Sequence, residues 1–252
     1  MPDAPGAPGS PDGRDALPRL LAGTRAVLFD FDGPVCDLFG GVSTRDVAER
    51  VKEAARQYWD RLDPDVESCH DSHGILRLLR DMYERRPARR LSPQPLELAE
   101  KIVTEQETEA VRTAARAPHL VALVDLLREL ALRLVIVSNN AEDPIRSYLE
   151  QPDLQDKFED VFGRDPYDAR HMKPDPHCVR RALAHLRLPA SSCVVIGDQL
   201  TDLEAARAIG AGFLGYTPDE ERAGAMRRAG ANAVVSTHSS LVTAAGRIRA
   251  PR

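Results

Sequence analysis

Apolar runs of two kinds alternate along the chain. Short, β-branched runs bounded by turn residues occur at 25–30 (RAVLFD), 132–138 (LRLVIVS), 193–197 (CVVIG), 212–216 (GFLGY) and 232–236 (NAVVS). Their nearly continuous apolar character predicts strands buried on both faces, as in a parallel sheet. Helical periodicity separates the later runs, over 176–188, 201–210 and 219–230. The last two of these stretches end at Gly210 and Gly230, a usual stop for an α-helix. Strand and helix in alternation predict an open α/β fold with a doubly wound parallel sheet.

Between the first two strands the pattern changes. Residues 39–117 show no strand signal and three helical stretches, at 44–60, 74–86 and 95–117. Roughly eighty residues far exceed the about 2–6 of an ordinary βα loop, which predicts an all-helical domain inserted after the first strand. The expected organisation is an α/β core from 25–38 and 118–252, a helical insert over 39–117, and a disordered tail over 1–24. The tail is inferred from the Pro, Gly and Asp content of MPDAPGAPGSPDGRD. No internal repeat is present.

Composition narrows the function. A formal charge of -5 and a pI near 5.8 leave no basic footprint for nucleic acid. Positive charge gathers only at Arg85, Arg86, Arg89 and Arg90. No run approaches the ~18 apolar residues of a membrane span. The first residues lack the apolar stretch of a signal peptide, so the expectation is a cytoplasmic protein without a membrane partner. Cys36, Cys69, Cys178 and Cys193 form no CxxC pair, which argues against a structural zinc site or a disulfide framework. Cys36 has no basic partner nearby in sequence and is expected to pack rather than react.

In an open parallel sheet, ligands gather beyond the carboxyl ends of the strands. Those ends carry Asp30 and Asp32, then Ser138 and Asn139, then Asp198 and Asp202; Lys173 stands in the loop RHMKPDP. Four carboxylates at one edge repel one another unless a cation sits among them. Oxygen-only ligands suit Mg²⁺, and the absence of His and Cys from these tips makes zinc a poor fit. Only four of the 34 basic residues are lysines. A lysine in a proline-flanked loop therefore suggests a need for a compact point charge in place of a guanidinium.

DFDGP, SNN, KPDP and GDQLTD, in this order, resemble the four motifs of the haloacid dehalogenase superfamily. The helical insert after the first motif resembles members with a helical C1-type cap on a Rossmann-like core, and the chain is similar to the phosphoglycolate-phosphatase-like hydrolases among them. The resemblance implies that Asp30 is the nucleophile, forming an aspartyl-phosphate, and Asp32 the general acid and base. It implies a phosphoryl hydrogen bond from Ser138, assisted by the Asn139 backbone, and charge neutralisation by Lys173. Mg²⁺ would be ligated by Asp30, the Asp32 carbonyl and Asp198, with Asp202 holding a metal-bound water. Gly33 lets the backbone approach the phosphate. Pro34 departs from the Thr or Val usual at that position and removes an amide donor.

The resemblance also implies that the insert closes over the site and sets specificity. Between the first two long helical stretches lies ESCHDSHG (67–74), where His70, Asp71, His73 and, beyond it, Arg77 are candidates to contact the leaving group; Asp71 or Ser72 could equally cap the following helix. Gly40 and Gly41 could supply a hinge. The expected function is a Mg²⁺-dependent phosphatase acting on a small phosphorylated metabolite, as a monomer or weak homodimer. Asp32 separates it from the dehalogenases, which lack a second acid. A sugar-phosphate mutase of the same superfamily is the alternative, disfavoured because no histidine precedes His70. A non-catalytic phosphate-binding module would lack one of the four motif groups, and all are present.

Overall fold

The computed structural model describes residues 13–40, 43–85 and 91–249, with the side chains of 13–16 and 249 excepted. Six strands form one parallel sheet: β1 (Ala26–Phe29), β4 (Arg133–Val137), β5 (Asp160–Phe162), β6 (Cys193–Gly197), β7 (Gly212–Tyr216) and β8 (Ala233–Val235), in the order β5-β4-β1-β6-β7-β8. Two further strands of two residues each, β2 (Cys36–Asp37) and β3 (Ala115–Arg116), pair antiparallel. The helices are α1 (Gly13–Ala22), α2 (Arg45–Arg56), α3 (Pro64–Glu67), α4 (Ser72–Glu84), α5 (Gln94–Ala110), α6 (Leu120–Glu129), α7 (Glu142–Leu149), α8 (His177–Leu186), α9 (Leu200–Ala208), α10 (Glu220–Arg228) and α11 (His238–Arg249).

Burial explains why β1 reads as unbroken apolar sequence. Val27 and Phe29 enter a core shared with α1, α6, α7 and α11. Ala26 and Leu28 point the other way, into a core shared with α8, α9 and α10. Period-two alternation thus feeds two apolar layers, and no polar face is left. The chain runs outward from β1 through β4 to β5, then returns across β1 to β6. That reversal places the carboxyl ends of β4, β1 and β6 side by side.

Helices α2 to α5 pack around a third apolar cluster of their own, centred on Val51, Trp59, Ile75, Leu79, Met82 and Val103. The two chain segments joining them to the sheet meet as β2 and β3. Accordingly α5 stops at Ala110, short of the expected 117, because the following residues extend to make that pair. Among the described residues, no helix is long and apolar enough to cross a membrane.

Two expectations change. Residues 13–22, assigned to a disordered tail, form α1, whose Leu17 and Leu21 are buried in the sheet's core. Their helical spacing is diluted by the surrounding Pro, Gly and Asp, which conceals it from composition. Residues 1–12 lie outside the described residues, as do Gly41 of the expected hinge and Arg86, Arg89 and Arg90 of the arginine cluster. The edge strand β5 had no counterpart in the sequence reading, since it offers only Val161 and Phe162 as apolar signal.

Candidate active site

Asp30 directly follows β1, and its amide donates to the Ile196 carbonyl at 2.8 Å, so the sheet ladder fixes its backbone. Lys173 Nζ donates to Asp30 Oδ1 at 2.7 Å and to the Val137 carbonyl at 3.2 Å. It also lies 2.5 Å from Asp202 Oδ1. Three acceptors use the three N–H donors of an ammonium, a fit the planar guanidinium lacks. The Lys173 loop is held in turn by Asn139: its Oδ1 accepts from the Lys173 amide at 2.7 Å and its Nδ2 donates to the Lys173 carbonyl at 3.3 Å.

Asp198 lies in the turn between β6 and α9, and Asp202 in the first turn of α9. Asp202 Oδ2 accepts from the Gln199 amide at 3.0 Å as part of a capping box that starts α9. Gly197 leaves room for it: a Cβ there would come within 2.5 Å of Asp202 Cγ. Gly33 makes room for Asp198 in the same way. Its φ of 97° suits glycine, and a Cβ would lie 2.9 Å from Asp198 Cγ. Asp198 Oδ2 accepts from Gln199 Nε2 at 2.7 Å and from Arg222 Nη1 at 3.3 Å.

The acids outnumber the local cations. Burial raises the Asp30 carboxyl well above its usual range, against the opposing pull of Lys173. Burial, then the charges of Asp202 and Asp32, push Asp198 up to about 7. Burial would lower Lys173, but Asp202 and Asp30 outweigh it and raise that group instead. Asp30, Asp198 and Asp202 offer carboxylate oxygens within 4.8 Å of one another. An oxygen-only set with this unrelieved repulsion fits a hard divalent cation such as Mg²⁺. Both Asp202 oxygens are already engaged, which leaves Asp30 and Asp198 the freer ligands.

Asp32 is tethered differently. Its Oδ1 accepts from the Leu38 amide at 2.8 Å, fixing the carboxyl to the turn that leads toward β2, and burial raises its pKa. A cavity of about 340 Å³ lies over these groups. Its wall includes Asp30, Asp32, Asn139, Lys173, Asp198 and Asp202 from the sheet side, and Asp71 and His73 from the insert.

Four expected residues are placed elsewhere. Ser138 is buried off the cavity wall, donating to Asn140 Oδ1 at 2.9 Å, so its proton is aimed at Asn140. The Gly33 amide is spent on the Cys36 carbonyl at 2.7 Å. His70 is exposed and turned toward Glu49, with Nδ1 at 3.5 Å from Oε1. Arg77 is exposed one turn beyond His73 on α4 and does not line the cavity. Asp71 lines the cavity and also caps α4, its side chain accepting from the Gly74 amide. Cys36 is fully buried, and burial raises its thiol, consistent with a packing role.

The residues sequence reasoning missed are Glu107, Arg164 and Asn140. Glu107 on α5 is fully buried. It accepts from Arg164 Nη1 at 2.8 Å, from Asn140 Nδ2 at 3.1 Å and from the Ala141 amide at 2.9 Å. His73 Nε2 lies 2.9 Å from Glu107 Oε1. Burial would raise this carboxyl, but Arg164 and His73 hold it down at about 2. One buried anion thereby joins the insert to the loop after β4.

The sequence model of the haloacid dehalogenase-like hydrolase family matches residues 24–210. The chain is 27% identical to the phosphoglycolate phosphatase of Neisseria gonorrhoeae over 77% of its own length and 80% of that protein. A shorter match, 37% identical, covers 37% of this chain and 38% of the phosphoglycolate phosphatase of Rhodospirillum rubrum. The crystal structure of CbbY from Rhodobacter sphaeroides in complex with phosphate superposes with a TM-score of 0.57 at 19% identity. It covers 86% of this chain and 96% of its own.

Proposed function

The chain belongs to the haloacid dehalogenase-like hydrolases, and we propose that within this family it is a Mg²⁺-dependent phosphatase of small phosphate monoesters. The observation carrying this reading is the buried Lys173 ammonium bonded to Asp30, with Asp198 and Asp202 beside them. A nucleophilic carboxylate, a fixed cation and a metal-fitting acid pair meet at one strand edge, the parts that phosphoryl transfer requires.

In the first step an Asp30 oxygen attacks phosphorus and the bond to the leaving oxygen breaks. Asp32 gives its proton to that oxygen; burial already favours its protonated form. The product alcohol departs and an aspartyl-phosphate remains. In the second step water attacks phosphorus, Asp32 takes the water's proton, inorganic phosphate leaves and Asp30 is regenerated. Lys173 orients Asp30 and offsets negative charge throughout. Mg²⁺, held by Asp30, Asp198 and the Asp32 carbonyl, would supply charge stabilisation at the phosphoryl oxygens. Asp202 acts through its hold on Lys173 and the start of α9. Asn139 holds the Lys173 loop, and Ser138 contributes through Asn140.

Helices α2 to α5 serve as the cap, and the parallel sheet with the helices that flank it as the catalytic core, in a cytoplasmic protein. The homology to phosphoglycolate phosphatases supports a short metabolite as substrate. The test is release of inorganic phosphate from a panel of small phosphate monoesters with Mg²⁺. Turnover in the wild type and none in Asp30→Asn is expected. Equal activity in the two proteins would refute the assignment.

A further inference from the structure

The two ends of the cavity differ in charge, and that difference bears on the substrate. At the sheet end stands Lys173, the only lysine or arginine among the described residues lining this space. All three of its donors are committed to Asp30, Asp202 and the Val137 carbonyl. It therefore acts at the phosphoryl end as a fixed positive charge and has no donor left for the rest of the substrate. The opposite wall is formed by Phe39, Thr44, Asp71, Ser72 and His73. It contains two hydroxyls, one carboxylate and one imidazole.

The imidazole has a defined orientation. Glu107 is held as a carboxylate by Arg164, so it accepts from His73, which makes Nε2 the protonated nitrogen. Nδ1 has no hydrogen-bond partner among the described residues and is the ring atom left to meet a substrate hydroxyl. Asp71 gives Oδ1 to the Gly74 amide, and Oδ2 remains as a second acceptor. Asp71 Oδ2, His73 Nδ1, the Ser72 hydroxyl and the Thr44 hydroxyl oxygen, whose proton goes to the His70 carbonyl, match the hydroxyls of a polyol. A carboxylate there would meet the negative charge of Asp71 with no lysine or arginine to balance it.

We infer that this cavity selects phosphate monoesters whose leaving group is uncharged and hydroxyl-bearing, and disfavours those whose leaving group ends in a carboxylate. The inference rests on the phosphatase reading and deepens it. It also separates this chain from the phosphoglycolate for which its relatives are named. Asp71 and His73 are the specificity-determining residues, and Glu107 is a positioning residue acting through His73.

The experiment compares kcat/KM for 2-hydroxyethyl phosphate, glycerol 3-phosphate and phosphoglycolate at one Mg²⁺ concentration, with p-nitrophenyl phosphate as a fourth substrate. The wild type should prefer both hydroxylated esters to phosphoglycolate by at least about tenfold. Asp71→Asn keeps the helix-capping acceptor and removes the charge, so it should shrink that ratio by at least about threefold. Equal or greater kcat/KM for phosphoglycolate in the wild type overturns the inference without recourse to any variant. An unchanged ratio in folded Asp71→Asn also overturns it. Failure to release phosphate from all four esters refutes the phosphatase reading instead.

Discussion

Replacing Arg164 with Met should destabilise the protein by about 3 kcal/mol at pH 7. The guanidinium side chain is fully buried between Glu100 and Glu107. Methionine keeps an unbranched apolar stem but leaves both carboxylates and the Asn139 carbonyl without this partner. Two routes give the magnitude. Removing one member of a buried ion pair typically costs about 3–5 kcal/mol. Independently, Glu107 falls from 4.5 to about 2 on folding, and roughly 2.5 units at about 1.36 kcal/mol each is roughly 3 kcal/mol. The second figure includes the part of the depression due to His73. The sign with pH follows from a depressed carboxyl. In the wild type this stability is fully present above pH 4.5 and is lost as pH falls toward 2. In Arg164→Met the buried carboxylate is unbalanced, its pKa rises, and mild acid should recover stability. Urea denaturation at pH 7 and pH 5 measures both effects, and the melting temperature should drop by roughly 6–12 °C. A loss below about 1 kcal/mol at pH 7, with no relative recovery at pH 5, would refute the view that this pair ties α5 to the sheet.

Mg²⁺ should raise the melting temperature of the wild type by relieving repulsion among Asp30, Asp198 and Asp202, and Asp198→Asn should weaken the shift. Full activity after chelation would show that the metal is not required. Asp32→Asn should slow hydrolysis of alkyl phosphates by at least about a hundredfold, and an aryl phosphate with a good leaving group should recover part of the first step. Equal losses on both substrate types would argue against Asp32 as the acid that protonates the leaving oxygen.

The strand tips were legible in sequence because β1, β4 and β6 are buried on both faces. Each reads as a β-branched run ending abruptly in a polar residue, so Asp30, Ser138 and Asp198 mark their own positions. Lys173 was legible through its rarity and its prolines. The Glu107–Arg164 pair was not. Glu107 sits in EQETEA among acids at every second position, and helical phase relative to the sheet decides which one is buried. Arg164 follows β5, a strand too short to announce itself. Asn140 is not distinguishable in sequence from Asn139, because the two differ only in the direction the turn gives their side chains. His73 was found, but its orientation depends on a carboxylate 34 residues away. His70 and Arg77 were equally polar candidates that the start of α4 turns outward.

Turnover should pass through a phosphorylated Asp30. Asp32→Asn protein should be mixed with a substrate phosphate and Mg²⁺, quenched in acid within the first turnover, digested and analysed by mass spectrometry. One hydroxylamine-sensitive phosphate should appear on the peptide containing Asp30, and none in Asp30→Asn. Phosphate released in the burst with no modified Asp30 peptide, or the modification on another residue, would contradict this route.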